Sequence, residues 1–260
     1  MKPYLLEAHK GVDTECPENT MPAYIRAADQ GYDMIETDTK FTKDNRCVLL
    51  HDRTLNRTGR LPSGDPIPEE LPIASLTLDE ARAYDMGIAR GEQFRGTKLS
   101  TLEELLAFAK ERNIRLKLDN VMQSHTPQQM GILLDLVEQS GAAELVGFTS
   151  NSPDFIRDVI LARFPEADIH YDGPVSGEIL AGLRSIVGEG HLTVWLRYDN
   201  RRTSWNKNAP ASDELCAMVK RYAKLGVWLL EKEAERIEAV ERYHADVIET
   251  DGTLKPGLSR

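Results

Sequence analysis

The feature that most constrains this chain is a regular alternation between strand-like apolar runs and amphipathic helical patterns. Met21, Tyr24, Ile25 and Ala28 follow the spacing of one helix face, and Gly31 stands where a C-cap glycine belongs. Strand-like runs occupy residues 4–9, 34–38, 114–119, 145–149, 167–171, 192–197, 227–230 and 246–250. Later helical patterns occupy residues 127–140, 152–163, 176–187, 212–225 and 232–243. These eight units predict an α/β fold with a parallel sheet, and they favour a closed (βα)8 barrel over an open doubly wound sheet.

Residues 53–98 interrupt this alternation. A short apolar run at 47–51 folds back from the second strand, and the segment after it is rich in proline, with Pro62, Pro66, Pro68 and Pro72. We interpret 53–98 as an insertion after the second strand that contains at most one short helix, near 76–85. Ser100 and Glu103 then predict a capping box for the next helix. The 260 residues are therefore predicted to form one barrel domain, 1–260, with the insertion inside it.

Charge and cysteine content exclude several classes of partner. Lys and Arg total 32 and Asp and Glu total 42, which gives a net charge of −10. This charge argues against a general nucleic-acid binder and against docking on an anionic membrane. No apolar run is long enough for a stable membrane span, and the N-terminus lacks the apolar core of a signal peptide. Cys16, Cys47 and Cys216 are far apart, which favours a reducing compartment, and we expect a cytoplasmic protein. Association with further copies of the chain is left open.

Reactive side chains cluster where the predicted strands end. His9 ends the first strand, Glu36 and Asp38 end the second, His51 ends the strand that folds back, and Asp119 ends the third. In a (βα)8 barrel the carboxyl ends of the strands form the active face. Three carboxylates with no thiolate favour a hard divalent cation, and two histidines beside them suit acid–base work near neutral pH. The alternative interpretation is that these acids are surface residues at strand ends or salt-bridge partners of Lys40 or Lys117.

Four motifs occur in a fixed order along the first quarter of the chain. They read AHKG at 8–11, PENT at 17–20, IETD at 35–38 and LHDRTLNRT at 50–58. Further along are FRG at 94–96, LSTLEE at 99–104 and IETD at 248–251. Together they resemble the glycerophosphodiester phosphodiesterase family, whose pattern is H-R-G, P-E-N-T, E-x-D and H-D-x-x-L-x-R-T in that order.

The resemblance implies a TIM barrel with a small insertion after the second strand. It implies a divalent cation, Mg²⁺ or Ca²⁺, held by Glu36, Asp38 and Asp119, with His9 and His51 as the general acid–base pair. The implied reaction cleaves a glycerophosphodiester into glycerol 3-phosphate and an alcohol, as part of lipid and glycerol metabolism. Either water or the glycerol 2-hydroxyl is the attacking group, and the sequence does not say which histidine is acid and which is base.

The same resemblance suggests residues that bind the substrate. Lys10 stands where the family has an arginine that contacts phosphate, and Glu18 stands where it has a glutamate near the metal. Trp228 is what remains of the family's W-T-x-N stretch on the seventh strand. Independently of the resemblance, a cluster after the sixth strand is predicted to wall the pocket; its members are Trp195, Arg197, Tyr198, Arg201, Arg202 and Trp205. A solvated arginine loop with packed tryptophans is the alternative for that cluster.

The chain departs from the family pattern around the substrate more than around the metal. Lys10 replaces an arginine and loses its bidentate fork, Asp119 replaces a glutamate, and Val121 stands where the family has a lysine. These differences keep open a lysophospholipase D, a phosphodiesterase for a sugar- or inositol-linked diester, and a non-catalytic barrel that binds phosphorylated metabolites. The remaining histidines are interpreted as structural or surface residues, namely His125, His170, His191 and His244.

Overall fold

A computed structural model describes residues 4–119, 122–200 and 210–257 and shows a closed barrel. Its strands are β1 (Leu5–Ala8), β2 (Met34–Phe41), β3 (Cys47–Leu49), β4 (Arg115–Asp119), β5 (Val146–Ser150), β6 (Asp168–Tyr171), β7 (Leu192–Arg197), β8 (Lys224–Trp228) and β9 (Val247–Thr250). All of them except β3 pair in parallel, in the order β1-β9-β8-β7-β6-β5-β4-β2, and pairing between β1 and β2 closes the ring. The predicted (βα)8 barrel is confirmed.

Helices surround the barrel and bury their apolar faces against it. In the described ranges they are α1 (Met21–Gln30), α2 (Leu78–Ala81), α3 (Leu102–Arg112), α4 (Pro127–Ser140), α5 (Pro153–Phe155), α6 (Leu161–Arg163), α7 (Gly177–Ile186), α8 (Asp213–Lys220) and α9 (Glu233–Ile237). A π-helical turn, Ile156–Ile160, joins α5 to α6. The capping box of α3 is one residue later than predicted: Thr101 is the N-cap and accepts from the Glu104 amide. None of the described helices is long and apolar enough to cross a bilayer.

The boundary between α8 and β8 was predicted wrongly. The sequence pattern placed a helix over 212–225 and a strand over 227–230, whereas α8 ends at Lys220 and β8 already begins at Lys224. Gly226 lies within this strand, and glycine weakens a strand pattern. The reason for the glycine is steric, because a Cβ atom there would lie 2.6 Å from the ring of Trp195.

The segment between β3 and α3 forms a small structure on one side of the barrel mouth. It contains α2, close to the predicted short helix near 76–85, and two 3₁₀ turns, Ile73–Ser75 and Glu92–Phe94. Its side chains share an apolar core with β3 that is separate from the main core, formed by Val48, Leu50, Leu55, Ile73, Leu78, Ala81, Met86 and Leu99. This core anchors the segment, so that Pro72, Ile73 and Ala74 form part of the wall of the central cavity.

Candidate active site

One cavity of about 1330 Å³ opens at the carboxyl ends of the barrel strands. It collects eight of the residues predicted to act at the site: His9, Lys10, Glu36, Asp38, His51, Asp119, Trp195 and Trp228. Glu18 and Arg197 are not among its described lining residues. Trp195 is fully buried at its floor, whereas Trp228 is half-buried in its wall. The side chains that sequence reasoning placed at strand ends therefore share one space.

The first two carboxylates are held by the segment between β1 and α1. The backbone N–H of Lys10 donates to Glu36 Oε2 at 2.7 Å, and Asn19 Nδ2 donates to Asp38 Oδ2 at 2.8 Å. Lys10 and Gly11 have φ of 56° and 78°, and a Cβ on Gly11 would meet Ala23 at 2.7 Å. Glycine is required at that turn for both reasons. The AHKG and PENT motifs thus orient the carboxylates of Glu36 and Asp38.

The third carboxylate lies next to Asp38 across the sheet. Asp38 is opposite Asp119 in the β2–β4 register, and Lys117 Nζ lies 3.4 Å from Asp119 Oδ2. Burial and then the charge of Asp38 raise the pKa of Glu36 well above its usual value. A group of acids that repel one another in a buried place gains from a cation among them.

The donor set fits a hard divalent ion. All three side chains offer carboxylate oxygen, the ligand atom that Mg²⁺ and Ca²⁺ prefer, and in the described chain neither Glu36 Oε1 nor Asp38 Oδ1 has a hydrogen-bond partner. The oxygens of Glu36, Asp38 and Asp119 do not all lie within 4.8 Å of one another. Among the described residues, a different set has its potential ligand atoms within 4.8 Å of one another, namely His9, Asp13 and Asp251.

Each of the two histidine rings is oriented by an aspartate at its Nδ1 atom. His9 Nδ1 lies 2.6 Å from Asp251 Oδ1, and His51 Nδ1 lies 2.7 Å from Asp52 Oδ1. Burial disfavours the charged form of His9, but the hydrogen bond to Asp251 and the charge of Glu36 outweigh it and raise its pKa to about 10. In both rings Nδ1 is hydrogen-bonded to a carboxylate, which fixes the orientation of the ring.

Glu18 connects two walls of the site instead of lining it. Its carboxylate lies 3.5 Å from Lys10 Nζ and receives a bidentate pair of hydrogen bonds from Arg57 at 2.6 and 2.7 Å. Arg57 also donates through Nε to Asp52 at 2.6 Å, and Asp52 holds His51. Glu18 of the PENT motif and Arg57 of the LHDRTLNRT motif therefore form one chain of charged hydrogen bonds. This chain ends at Asp52, which fixes His51.

The cavity floor is a layer of buried charges, of which the sequence reasoning considered only Lys117, as a salt-bridge partner of the strand-end acids. Lys117 Nζ lies 3.0 Å from Glu7 Oε1, 2.6 Å from Glu249 Oε2 and 4.0 Å from the ring centre of Trp195. Burial raises the pKa of Glu7; it also opposes ionisation of Glu249, but the charge of Lys117 outweighs it there and lowers the pKa. Glu7 is therefore the neutral acid, and Lys117 and Glu249 form the ion pair.

Four further wall residues were also missed as site residues: Lys40, Arg53, His125 and Asp172. Burial lowers the pKa of Lys40 to about 8, which leaves it cationic at neutral pH. His125, interpreted above as structural, bonds Thr39 Oγ1 at 3.1 Å, and burial followed by the charge of Lys40 lowers its pKa to about 4. Asp172 follows β6 directly, and its Oδ1 is buried with no hydrogen-bond partner among the residues that the structure describes. The expectation that residues at the carboxyl ends of barrel strands face the active site, applied to β6, would have identified Asp172.

Some predictions concern residues that the structure does not describe. Val121, at the position of the family's lysine, and Arg201, Arg202 and Trp205 in the predicted pocket loop lie outside the described residues. Arg197 is half-buried at the end of β7, where its carbonyl accepts from the Ala211 amide at 2.9 Å.

Curated relatives share part of this chain. A glycerophosphodiester phosphodiesterase of Caldanaerobacter subterraneus is 31% identical over 159 residues, which are 60% of this chain and 61% of that protein. Another from Bacillus altitudinis is 33% identical over 115 residues, 42% of this chain and 44% of that protein. The chain thus spans about three-fifths or less of the length of these relatives.

Solved structures share the fold over nearly the full length. An Oleispira antarctica phosphodiesterase in complex with the product sn-glycerol-3-phosphate has a TM-score of 0.75 at 19% identity, covering 96% of this chain and 93% of its own. A glycerophosphodiester phosphodiesterase from Agrobacterium tumefaciens has a TM-score of 0.69 at 19% identity, covering 95% and 96%. At such identities the likeness shows the fold. The family described as the glycerophosphoryl diester phosphodiesterase family matches residues 9–251, from the histidine of the first motif to the aspartate that holds it, and the chain belongs to that family.

Proposed function

We propose that this protein hydrolyses glycerophosphodiesters to glycerol 3-phosphate and an alcohol. The observation that carries the proposal is the pair of imidazoles in one cavity, each with Nδ1 on a carboxylate, beside three acids at adjoining strand ends. That arrangement provides two proton-transfer groups and a place for a cation. Family membership and the names of the relatives support the same reaction.

The acids Glu36, Asp38 and Asp119 are proposed to hold one divalent cation, Mg²⁺ or Ca²⁺. When bound, such an ion supplies Lewis-acid stabilisation of the charge that develops on the non-ester phosphate oxygens. The backbone N–H of Lys10 and the amide of Asn19 keep the Glu36 and Asp38 carboxylates oriented toward it. Lys10 also places an ammonium at the cavity, where it is proposed to bind a phosphate oxygen.

The histidines are proposed to move the protons of the reaction. One removes the proton of the attacking hydroxyl, from water or the glycerol 2-hydroxyl, as the new phosphorus–oxygen bond forms. The other gives its proton to the alcohol oxygen as the old phosphorus–oxygen bond breaks. Asp251 and Asp52 hold the two rings by Nδ1, and Trp195 and Trp228 are proposed to exclude water from the cavity.

The proposal extends to the setting of the reaction. Three unpaired, buried cysteines support a reducing, cytoplasmic location, and a small phosphodiester is the proposed partner. We propose one catalytic domain with residues 53–98 as an insertion that walls the cavity. A lysophospholipase D or a sugar- or inositol-linked diesterase would use the same site with a different alcohol, whereas a non-catalytic binding barrel would give no product.

The test measures glycerol 3-phosphate by mass spectrometry after incubation with glycerophosphocholine, glycerophosphoethanolamine and glycerophosphoglycerol. We expect product with Mg²⁺ or Ca²⁺, none after chelation, and a loss of about 10²–10⁴-fold in His51→Ala. His191→Ala is the matched control, because its Nδ1 also lies 3.0 Å from an aspartate, Asp168, but away from the cavity. If folded, metal-loaded protein leaves every diester intact, the proposal is wrong.

A further inference from the structure

Four lysine and arginine side chains line the cavity, and among the described residues only two of them form ion pairs with carboxylates. Lys10 faces Glu18, and Lys117 faces Glu7 and Glu249. Lys40 and Arg53 also line the cavity, but no carboxylate of the described residues lies within 4.0 Å of either one. Within the described part of the chain, the ammonium of Lys40 donates only to the backbone carbonyl of Thr39, at 3.3 Å.

Both of these cations lie on the wall formed by the β2–β3 hairpin and the segment after it. Lys40 pairs with Val48 across the hairpin, and the carbonyl of Arg53 accepts from the Ile73 amide at 2.9 Å. Lys40 is half-buried on β2, and Arg53 is exposed two residues after His51. The two cations thus flank the histidine side of the reaction centre.

The acids near this wall interact with other groups, so they do not neutralise Lys40 and Arg53. The two oxygens of Asp52 are bonded to His51 and to Arg57, so its charge is compensated. Asp38 and Asp119 are assigned above to the divalent cation. His125, the titratable group that faces Lys40 from the segment after β4, is neutral at pH 7. The wall therefore presents to the cavity two positive charges that form no ion pair with a described carboxylate.

We propose that Lys40 and Arg53 form a second anion-binding subsite, which selects glycerophosphodiesters whose leaving alcohol carries a further phosphate or carboxylate. This inference rests on the proposed function. The glycerol half of such a substrate has no charge beyond the phosphodiester, so an additional anion must belong to the other alcohol. Two cations at this wall stabilise an anionic alcohol and repel the ammonium of a choline group.

The test compares kcat/KM for three substrates that differ in the charge of the alcohol. They are glycerophosphocholine, glycerophosphoglycerol, and glycerophosphoglycerol with a phosphate on its distal hydroxyl. We expect the phosphorylated substrate to be preferred over the unphosphorylated one. In Lys40→Met and Arg53→Met that preference falls about tenfold or more, since each variant loses a charged hydrogen bond. Arg53→Glu shifts the preference toward the choline substrate.

Lys43→Met is the matched control, because Lys43 lies on the same hairpin but is exposed outside the cavity lining, and it keeps the wild-type preference. Lys40→Arg retains the charge and retains the preference, which separates charge from folding. If Lys40→Met lowers kcat/KM equally for all three substrates, the residue binds the reacting phosphate and the inference is overturned. If rates are independent of alcohol charge, it is overturned as well. If no diester is cleaved at all, the proposed function fails instead.

Discussion

Replacing Lys117 by methionine tests the charged floor beneath the cavity. Methionine fills a similar volume but removes the ammonium, which leaves Glu249 buried without its ion-pair partner and with only the weaker attraction of the charged His9 ring. Burial affects the pKa of Glu249 more than the charge of His9 does, so we expect Glu249 to bind a proton when the variant folds. The ordinary pKa of a glutamate is 4.5, which is 2.5 units below pH 7, so that protonation costs about 3 kcal/mol at pH 7. Lost attraction to the Trp195 ring adds about 1 kcal/mol.

The assay is urea unfolding in EDTA at pH 7 and at pH 4.5. In Lys117→Met the folded-state pKa of Glu249 lies above its unfolded value, so its contribution is present below pH 4.5 and is lost as pH rises. We therefore expect a deficit in unfolding free energy of about 3–4 kcal/mol at pH 7 that shrinks to about 1 kcal/mol at pH 4.5. The double variant Lys117→Met/Glu249→Gln recovers most of the loss, because both members of the ion pair are gone and no unpaired Glu249 carboxylate is buried.

Glu7→Gln is the control for this prediction. Glu7 contacts the same lysine at 3.0 Å but is the neutral acid, so its amide should cost no more than about 1 kcal/mol at pH 7. A Lys117→Met deficit that is below 1 kcal/mol at pH 7, or a Glu7→Gln deficit as large as that of Lys117→Met, would refute the assignment of charges.

Three further predictions concern other parts of the site. Asp251→Asn removes the hydrogen-bonded carboxylate from His9 and should lower the pKa of that ring from about 10 toward 6.5, as measured by NMR titration of metal-free protein; an unchanged pKa contradicts the pairing. Gly226→Ala places a Cβ 2.6 Å from the buried Trp195 ring and should cost about 1–3 kcal/mol in urea unfolding, whereas a neutral result would show that the ring can move. Burial raises the pKa of Asp172 from 3.8 to about 7, a destabilisation that is absent at pH 4 and grows as pH rises to 7. Asp172→Asn should therefore raise the unfolding free energy of metal-free protein by up to about 4 kcal/mol at pH 8 and by almost nothing at pH 4, and a gain independent of pH would contradict that origin.

The barrel and the location of its reactive residues could be predicted because they depend on short-range patterns. Apolar runs alternate with helical spacings along the whole chain, and the carboxyl ends of parallel strands meet on one face. That rule alone placed His9, Glu36, Asp38 and Asp119 at one mouth, and the structure lines the cavity with all four. The motif order then identified the family.

The partners of these residues could not be predicted, because they join distant parts of the chain. His9 and Asp251 are 242 positions apart, and Lys117 and Glu249 are 132 apart. A period-2 pattern says which face of a strand a side chain occupies, but not which side chain on another strand it meets. The error in the predicted start of β8 has a similar origin. Gly226 is needed within that strand because the Trp195 ring on the neighbouring strand leaves no space for a Cβ atom.

The central claim is that one divalent ion lies among Glu36, Asp38 and Asp119, with the reacting phosphate between His9 and His51. The most direct measurement is an anomalous difference map from crystals grown with Mn²⁺ and glycerol 3-phosphate. The account predicts one manganese peak bounded by those three carboxylates and a phosphate within hydrogen-bond distance of both imidazoles. A peak instead at the alternative set that includes Asp13 and Asp251, or a phosphate bound away from both histidines, would contradict it.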